Sequence, residues 1–185
     1  MIQDIGISDK RFKLSAGAGS DAIHKDPQYS YAVTQLKDEK GHIGTGLAFT
    51  VGAGNDLVCS AAKFYAEKLK CFDIEELMSD FGNTFKTLSN EQQFRWLGPH
   101  KGVVHLGLAS VTNACYDLWA KQRGVPLWKL LIDLSPEEIV NTLDLSYLED
   151  VLTQQEAIEI LTEQVSTKKR ENLFCKKATR AMTLR

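Results

Sequence analysis

No apolar run in this chain reaches the ~18 residues that a membrane-crossing helix requires, and neither sign of charge dominates. A formal net charge of -2 and a pI near 6.1 give no electrostatic reason to expect nucleic acid or an anionic membrane surface as partner. Cysteine is sparse. Cys59, Cys71, Cys115 and Cys175 lie far apart, with no Cys-x-x-Cys pair and no histidine at zinc-ligand spacing, so they read as reduced thiols, three of them buried. The start lacks a basic segment leading into an apolar one, and Asp4 and Asp9 interrupt any arginine-rich amphipathic pattern. The expectation is a cytoplasmic protein. Gly52-Ala53-Gly54-Asn55 lacks the third glycine of a dinucleotide loop and the Gly-Lys-Ser/Thr of a P-loop, which leaves a tight strand-to-helix turn.

What is present has the balance of a globular chain. Hydrophobic residues make up 43% and charged residues 25% of 185 positions, enough for one well-cored domain, or one domain and part of a second. Ile2 to Phe12 mixes β-branched and polar residues, and Tyr29 to Leu36 sets Tyr31 and Val33 against Ala32, Thr34 and Leu36 in a two-residue repeat. Lys37 to Gly41 is a polar turn. Beyond it Ile43, Thr45, Leu47, Phe49 and Val51 share one face, and Gly44, Gly46 and Ala48 the other. Small residues on that second face let another element approach closely. A three-stranded antiparallel meander is the simplest arrangement.

After Gly54 the period changes from two to 3.6. Asn55 is a candidate N-cap, with Val58, Ala62, Tyr65 and Leu69 on one helical face. Asp73-Ile74-Glu75-Glu76 has capping-box spacing and opens a second helix carrying Leu77, Phe81 and Phe85 inward. The longest periodic segment runs from about Gly102 to Gln122, with Val104, Leu108, Val111, Cys115 and Leu118 as its stripe and Gly124 and Pro126 as its stop. Its other faces are also rather apolar, which predicts a central helix among neighbours. Leu127 to Ile132 can form a short helix, Ile139 to Tyr147 reads as a buried strand, and Thr153-Gln154-Gln155-Glu156 opens a helix through Ile158, Leu161 and Val165. A strand followed by a helix would be a first βα unit. From Ser166 the chain is basic and aperiodic, a frayed end by this reading.

Three stretches carry a family resemblance: Gly19 through Ser30 (Gly-Ser-Asp-Ala-Ile-His-Lys-Asp-Pro-Gln-Tyr-Ser), Arg95 through Leu106 (Arg-Trp-Leu-Gly-Pro-His-Lys-Gly-Val-Val-His-Leu), and Asp117 through Gln122. The chain resembles the L-fuconate dehydratases and their animal counterpart of mitochondrial type, in the mandelate racemase subgroup of the enolase superfamily. The resemblance runs from about Ile5 to Arg170. It implies an α+β fold, an N-terminal capping domain of three antiparallel strands and a helical bundle over residues 1–125, then the start of an incomplete TIM barrel over 126–165, and an irregular tail over 166–185. It also leaves a mitochondrial location open beside the cytoplasmic expectation.

In that family Mg²⁺ on barrel carboxylates stabilises the enediolate formed when a base removes the proton α to a sugar-acid carboxylate, and loss of the β-hydroxyl follows. The resemblance assigns Gly19, Ser20, Asp21 and Tyr29 to substrate contact, and it places no catalytic residue and no Mg²⁺ ligand in this chain. Only about 50 residues follow Ile139, against the ~250 of a full barrel. Where the family has Gly-Tyr-Pro-x-Tyr-x-Thr-Ser, residues 177–185 stand instead. One permitted codon choice for them, read two bases later, spells Gly-Tyr-Pro-Gly-Tyr-Asp-Thr-Ser, so the tail is expected to be the family's coding sequence out of frame.

The implied partners are a sugar acid, a homo-oligomer or a full-length subunit, and a noncatalytic regulatory role is the competing reading. Without a barrel, the apolar surfaces of Val125 to Leu145 would be exposed and prone to aggregation. His24 is read as a solvent-exposed loop histidine, and His105, Trp96, Trp119 and Trp128 as packing residues.

Overall fold

A computed structural model describes residues 1–97 and 102–165. Strands β1 (Ile2–Phe12), β2 (Tyr29–Asp38) and β3 (Ile43–Thr50) form an antiparallel sheet in the order β1-β2-β3, the meander expected from the alternation. Helices follow: α1 (Asn55–Lys68), α2 (Ile74–Ser79), α3 (Phe81–Ser89), a 3-10 turn (Gln92–Leu97), α4 (Val103–Gln122), α5 (Leu127–Asp133), α6 (Pro136–Asn141) and α7 (Gln154–Glu163).

The pleat of β2 turns Ser30, Ala32, Thr34, Leu36 and Asp38 toward the helices, and that of β3 turns Gly44, Gly46 and Ala48 the same way. On these small residues α4 lies almost directly against the backbone of β3. A Cβ built on Gly44 would meet the Ala114 carbonyl oxygen at 2.3 Å, and one on Gly46 the Ser110 carbonyl oxygen at 1.9 Å. Helix α4 is central as predicted, touching β2, β3 and α1, α2, α3 and α5. Leu108, Val111, Cys115 and Leu118 along it are fully buried.

That closeness also covers the outer edge of β3, since a free strand edge is a template for unwanted pairing. Three residues one turn apart on α4 satisfy it: Asn113 Nδ2 donates to the Leu47 carbonyl (3.3 Å), Asp117 Oδ2 accepts from the Thr45 N–H (2.7 Å), and Lys121 Nζ donates to the Ile43 carbonyl (2.7 Å).

At the far end of β2 the Asp38 side chain is almost wholly buried. Its Oδ1 accepts from the N–H groups of Lys40 and His42, and its Oδ2 lies 2.8 Å from His42 Nδ1 and 2.7 Å from Gln122 Nε2. Burial pushes this carboxyl up, but the hydrogen bonds from His42 and Gln122 outweigh it and hold the group at about 2. A depressed folded value means that stability is present above the unfolded value of 3.8 and is lost as pH falls through the folded one. Urea unfolding should therefore weaken by about 2 kcal/mol from this group between pH 5 and pH 2. Asp38→Asn should flatten that slope, and an equally steep slope in the variant would remove Asp38 as its source.

Several expectations change. Gly54, at φ 87, takes the cap position of α1, and Asn55 is the first helical residue, its amide drawn inward to Thr50 and Asp9. The helix opened by Asp73, whose carboxylate accepts from the N–H groups of Glu75 and Glu76, breaks at Asp80 into α2 and α3. The break lets both Phe81 and Gly82 face inward.

The strand expected over Ile139 to Tyr147 is instead the end of α6 and a series of turns. Pro136 sits in the first turn of that helix, and Ser135 and Glu138 cap each other reciprocally at 3.1 Å and 2.7 Å. Capping box and proline together fix a helix start there. No fourth strand exists among the described residues, so the βα unit shows only its helix, α7, opened by the predicted Thr153–Glu156 capping box.

The apolar segment after Val125 is partly covered, with Leu130, Leu134 and Val140 buried and Leu131 and Leu143 exposed. Of the three described cysteines only Cys115 is buried. Cys71 is exposed, in a positive-φ turn (φ 70) that follows α1. Trp119 packs as expected and donates to Glu75, whereas Trp96 is 80% exposed. The tail over 166–185, with Cys175, lies outside the described residues.

Candidate functional site

Two connections leave the same end of the sheet, the loop 13–28 between β1 and β2 and the turn 51–54 between β3 and α1. All the residues expected to contact substrate lie in the first loop or at its foot. Gly19 has φ 70, and a Cβ there would meet the Tyr29 hydroxyl at 2.9 Å and the Leu14 side chain at 3.1 Å. The backbone angle favours glycine, and any side chain there would have to displace the Tyr29 ring. Tyr29, the first residue of β2, stands edge-on to Phe49 at 5.1 Å. Gly19 and Tyr29 thus form one corner.

Ser20 and Asp21 organise the loop itself. Ser20 Oγ accepts from the Asp26 N–H at 2.9 Å, and Asp26 Oδ1 accepts from the Gly17 N–H at 2.7 Å. Asp21 Oδ1 accepts from the N–H groups of Ile23 (2.8 Å) and His24 (2.6 Å), and its carboxylate lies 3.0 Å from His24 Nδ1. These bonds, first those from the His24 backbone and ring and then that from Ile23, hold the exposed Asp21 carboxyl at about 2. His24 is exposed as expected and serves as this turn's partner.

The loop therefore presents an ionised carboxylate, a phenol, and a serine hydroxyl whose own proton is unspent by its bond to Asp26. A polyol can pair with such a mixture of acceptors and donors. Among the described residues no group of three or more histidine, cysteine, aspartate or glutamate side chains is placed to hold a metal ion.

Sequence reasoning did not find the polar residues beneath the loop: Asp9, Arg11, Gln28, Ser30, Thr50 and Asn55, which bond to one another across three strands and a helix. One signal was available. Ser30 and Thr34 fall at inward positions of the β2 alternation, where apolar residues are the rule.

No protein-family profile matches the chain. The crystal structure of human mitochondrial enolase superfamily member 1 superposes with a TM-score of 0.85 at 42% identity, over 93% of this chain and 40% of that one. L-galactonate dehydratase of Hypocrea jecorina is 43% identical over 161 residues, 86% of this chain and 36% of that protein. L-talarate/galactarate dehydratase from Salmonella typhimurium LT2, crystallised with Mg and L-lyxarohydroxamate, shares the fold with a TM-score of 0.58 at 22% identity, over 70% of this chain and 33% of that one.

These homologies place the chain in the enolase superfamily, and its three-stranded sheet and helices are the N-terminal capping fold of that superfamily. It spans about two-fifths of the length of the curated relatives it matches. No described helix is long and apolar enough to cross a membrane.

Proposed function

We propose that this chain is the substrate-capping part of an acid-sugar dehydratase of the L-fuconate type, with Gly19, Ser20, Asp21 and Tyr29 facing the sugar acid. The observation that carries the reading is the Gly19–Tyr29 corner, where a left-handed glycine lies against a tyrosine hydroxyl at the root of an exposed polar loop. Dehydration needs a base at the α carbon and a cation beside the developing enediolate, the charge stabilisation that Mg²⁺ supplies when bound. The described residues offer no ligand set for it. The reading assigns substrate capping, and not turnover, to this part of the molecule.

The test is incubation of the purified chain with L-fuconate or L-galactonate and Mg²⁺, following α-keto acid formation. No product is expected, while amide shifts at Gly19, Asp21 and Tyr29 should respond to millimolar sugar acid. Turnover by the chain alone overturns the proposal, and so does binding that leaves those amides unmoved.

A second reading, a noncatalytic partner of a full-length subunit, rests on the outer face of the sheet, where Ile43, Leu47, Phe49 and Phe12 remain 41% to 54% exposed. Co-purification with the full-length protein, lost in Leu47→Asp, would favour it.

A further inference from the structure

The polar residues under the loop form a continuous circuit of hydrogen bonds whose two ends, Gly52 and Gln28, lie side by side. The Gly52 N–H donates to Ser30 Oγ (2.8 Å), Ser30 Oγ lies 2.6 Å from Thr50 Oγ1, and Thr50 Oγ1 donates to Asn55 Oδ1 (2.7 Å). Asn55 Nδ2 donates to Asp9 Oδ1 (2.6 Å), Arg11 clamps Asp9 through Nε and Nη2, and Arg11 Nη1 reaches Gln28 Oε1 at 3.3 Å. The chain of bonds ends at Gln28, whose side chain packs beside Gly52, since a Cβ built on Gly52 would lie 3.3 Å from Gln28 Cβ.

Proton counting fixes the direction of every bond in the buried half. A hydroxyl has one proton. Thr50 spends its proton on Asn55, so Ser30 must donate to Thr50 and accept from Gly52. The Asn55 amide is fixed as well, since turning it over would aim its oxygen at the Asp9 carboxylate. That carboxyl is held low by Arg11 against its burial, with Asn55 adding to the effect, so it stays an acceptor. Ser30 and Asn55 are wholly buried, where an unpaired polar group is costly.

We propose that this circuit is a positioning device. It locks the turn 51–54 against the root of the loop 13–28, so that the Gly19–Tyr29 corner and the mouth of α1 keep one relative pose, and Asn55 is its central residue. The inference rests on the reading of that loop as the substrate cap, but its experiment needs no substrate and fails or succeeds separately.

Amide hydrogen exchange of the whole chain is the measurement. Asn55→Asp removes the donor to Asp9 and sets two carboxylates together, so exchange in 13–28 and 51–54 should rise about tenfold while the core of α4 changes much less. Exchanging the two groups in Asp9→Asn with Asn55→Asp restores a donor–acceptor pair and should return both segments toward wild-type rates. Thr50→Val, close in shape, should loosen the same two segments more weakly and decides the matter if Asn55→Asp fails to fold. Unchanged loop exchange in the variants, a uniform rise over the whole chain, or no rescue in the exchanged pair would each overturn the proposal.

Discussion

Gly46→Ala is expected to remove most of the stability of this domain, although it adds one methyl group at a position where alanine is no stranger to a strand. The new Cβ would lie 1.9 Å from the Ser110 carbonyl oxygen and 2.5 Å from the Ala114 nitrogen. Both are backbone atoms of α4 and have no rotamer to escape into. Relief requires moving the central helix off the sheet, which would also pull apart the buried Thr34–Ser110 hydroxyl pair (2.7 Å) and the Asn113 and Asp117 bonds to β3.

Reduced freedom of the unfolded chain favours alanine by about 0.4–1 kcal/mol, and overpacking of this kind costs roughly 1–3 kcal/mol or more. The clash prevails, and a loss of at least about 3 kcal/mol is expected once the broken bonds are included. Measured by urea unfolding, Leu47→Ala on the opposite, half-exposed face of β3 should cost far less. A Gly46→Ala protein as stable as that control would mean that α4 does not lie where it is described.

The same glycines show what the sequence made legible. Alternation in β3 separated a large-residue face from a small-residue face and gave the reason for the second one's smallness, a close approach by another element. The stripe of α4 was equally plain, its twenty residues giving periodicity room to speak.

Short elements were read less well. Ile139 to Tyr147 has the apolar density of a strand, but the polar pair Ser135 and Glu138, with Pro136 between them, decides for a helix, and no periodicity test reports a cap. The cap position of Gly54 and the break at Asp80 depend on contacts with residues distant in sequence. So does the circuit through Asn55, whose members come from β1, β2, β3 and α1 and share no local motif. Gly19 and Tyr29 could be named together only through a family resemblance, since nothing in the nine intervening residues says that a ring will lie over a glycine.

The second large effect concerns residues 126–165, which the resemblance assigns to the start of another domain. Gly82 lies in the first turn of α3, where helix propensity alone makes alanine better by at most about 1 kcal/mol. If the chain beyond Pro126 were a loosely held leftover, Gly82→Ala would gain that amount. A Cβ on Gly82, however, would stand 2.2 Å from the Leu143 carbonyl oxygen and 2.7 Å from its carbon. Nearby, Phe81 packs edge-on to Tyr116 at 5.4 Å, and Leu130 and Leu134 lie in the same buried cluster as Phe81, Leu118 and Trp119.

These contacts tie α5 and α6 to the bundle, so the added methyl should displace the segment after α6 and outweigh the propensity gain. Gly82→Ala is expected to lose about 2 kcal/mol, with exchange rising first in α6 and α7 while the sheet stays protected. A variant stabilised by the propensity increment would show that the segment yields freely and lies outside the cooperative core of the cap. The expected loss would put it in the cooperative core of the cap, with the boundary beyond α6.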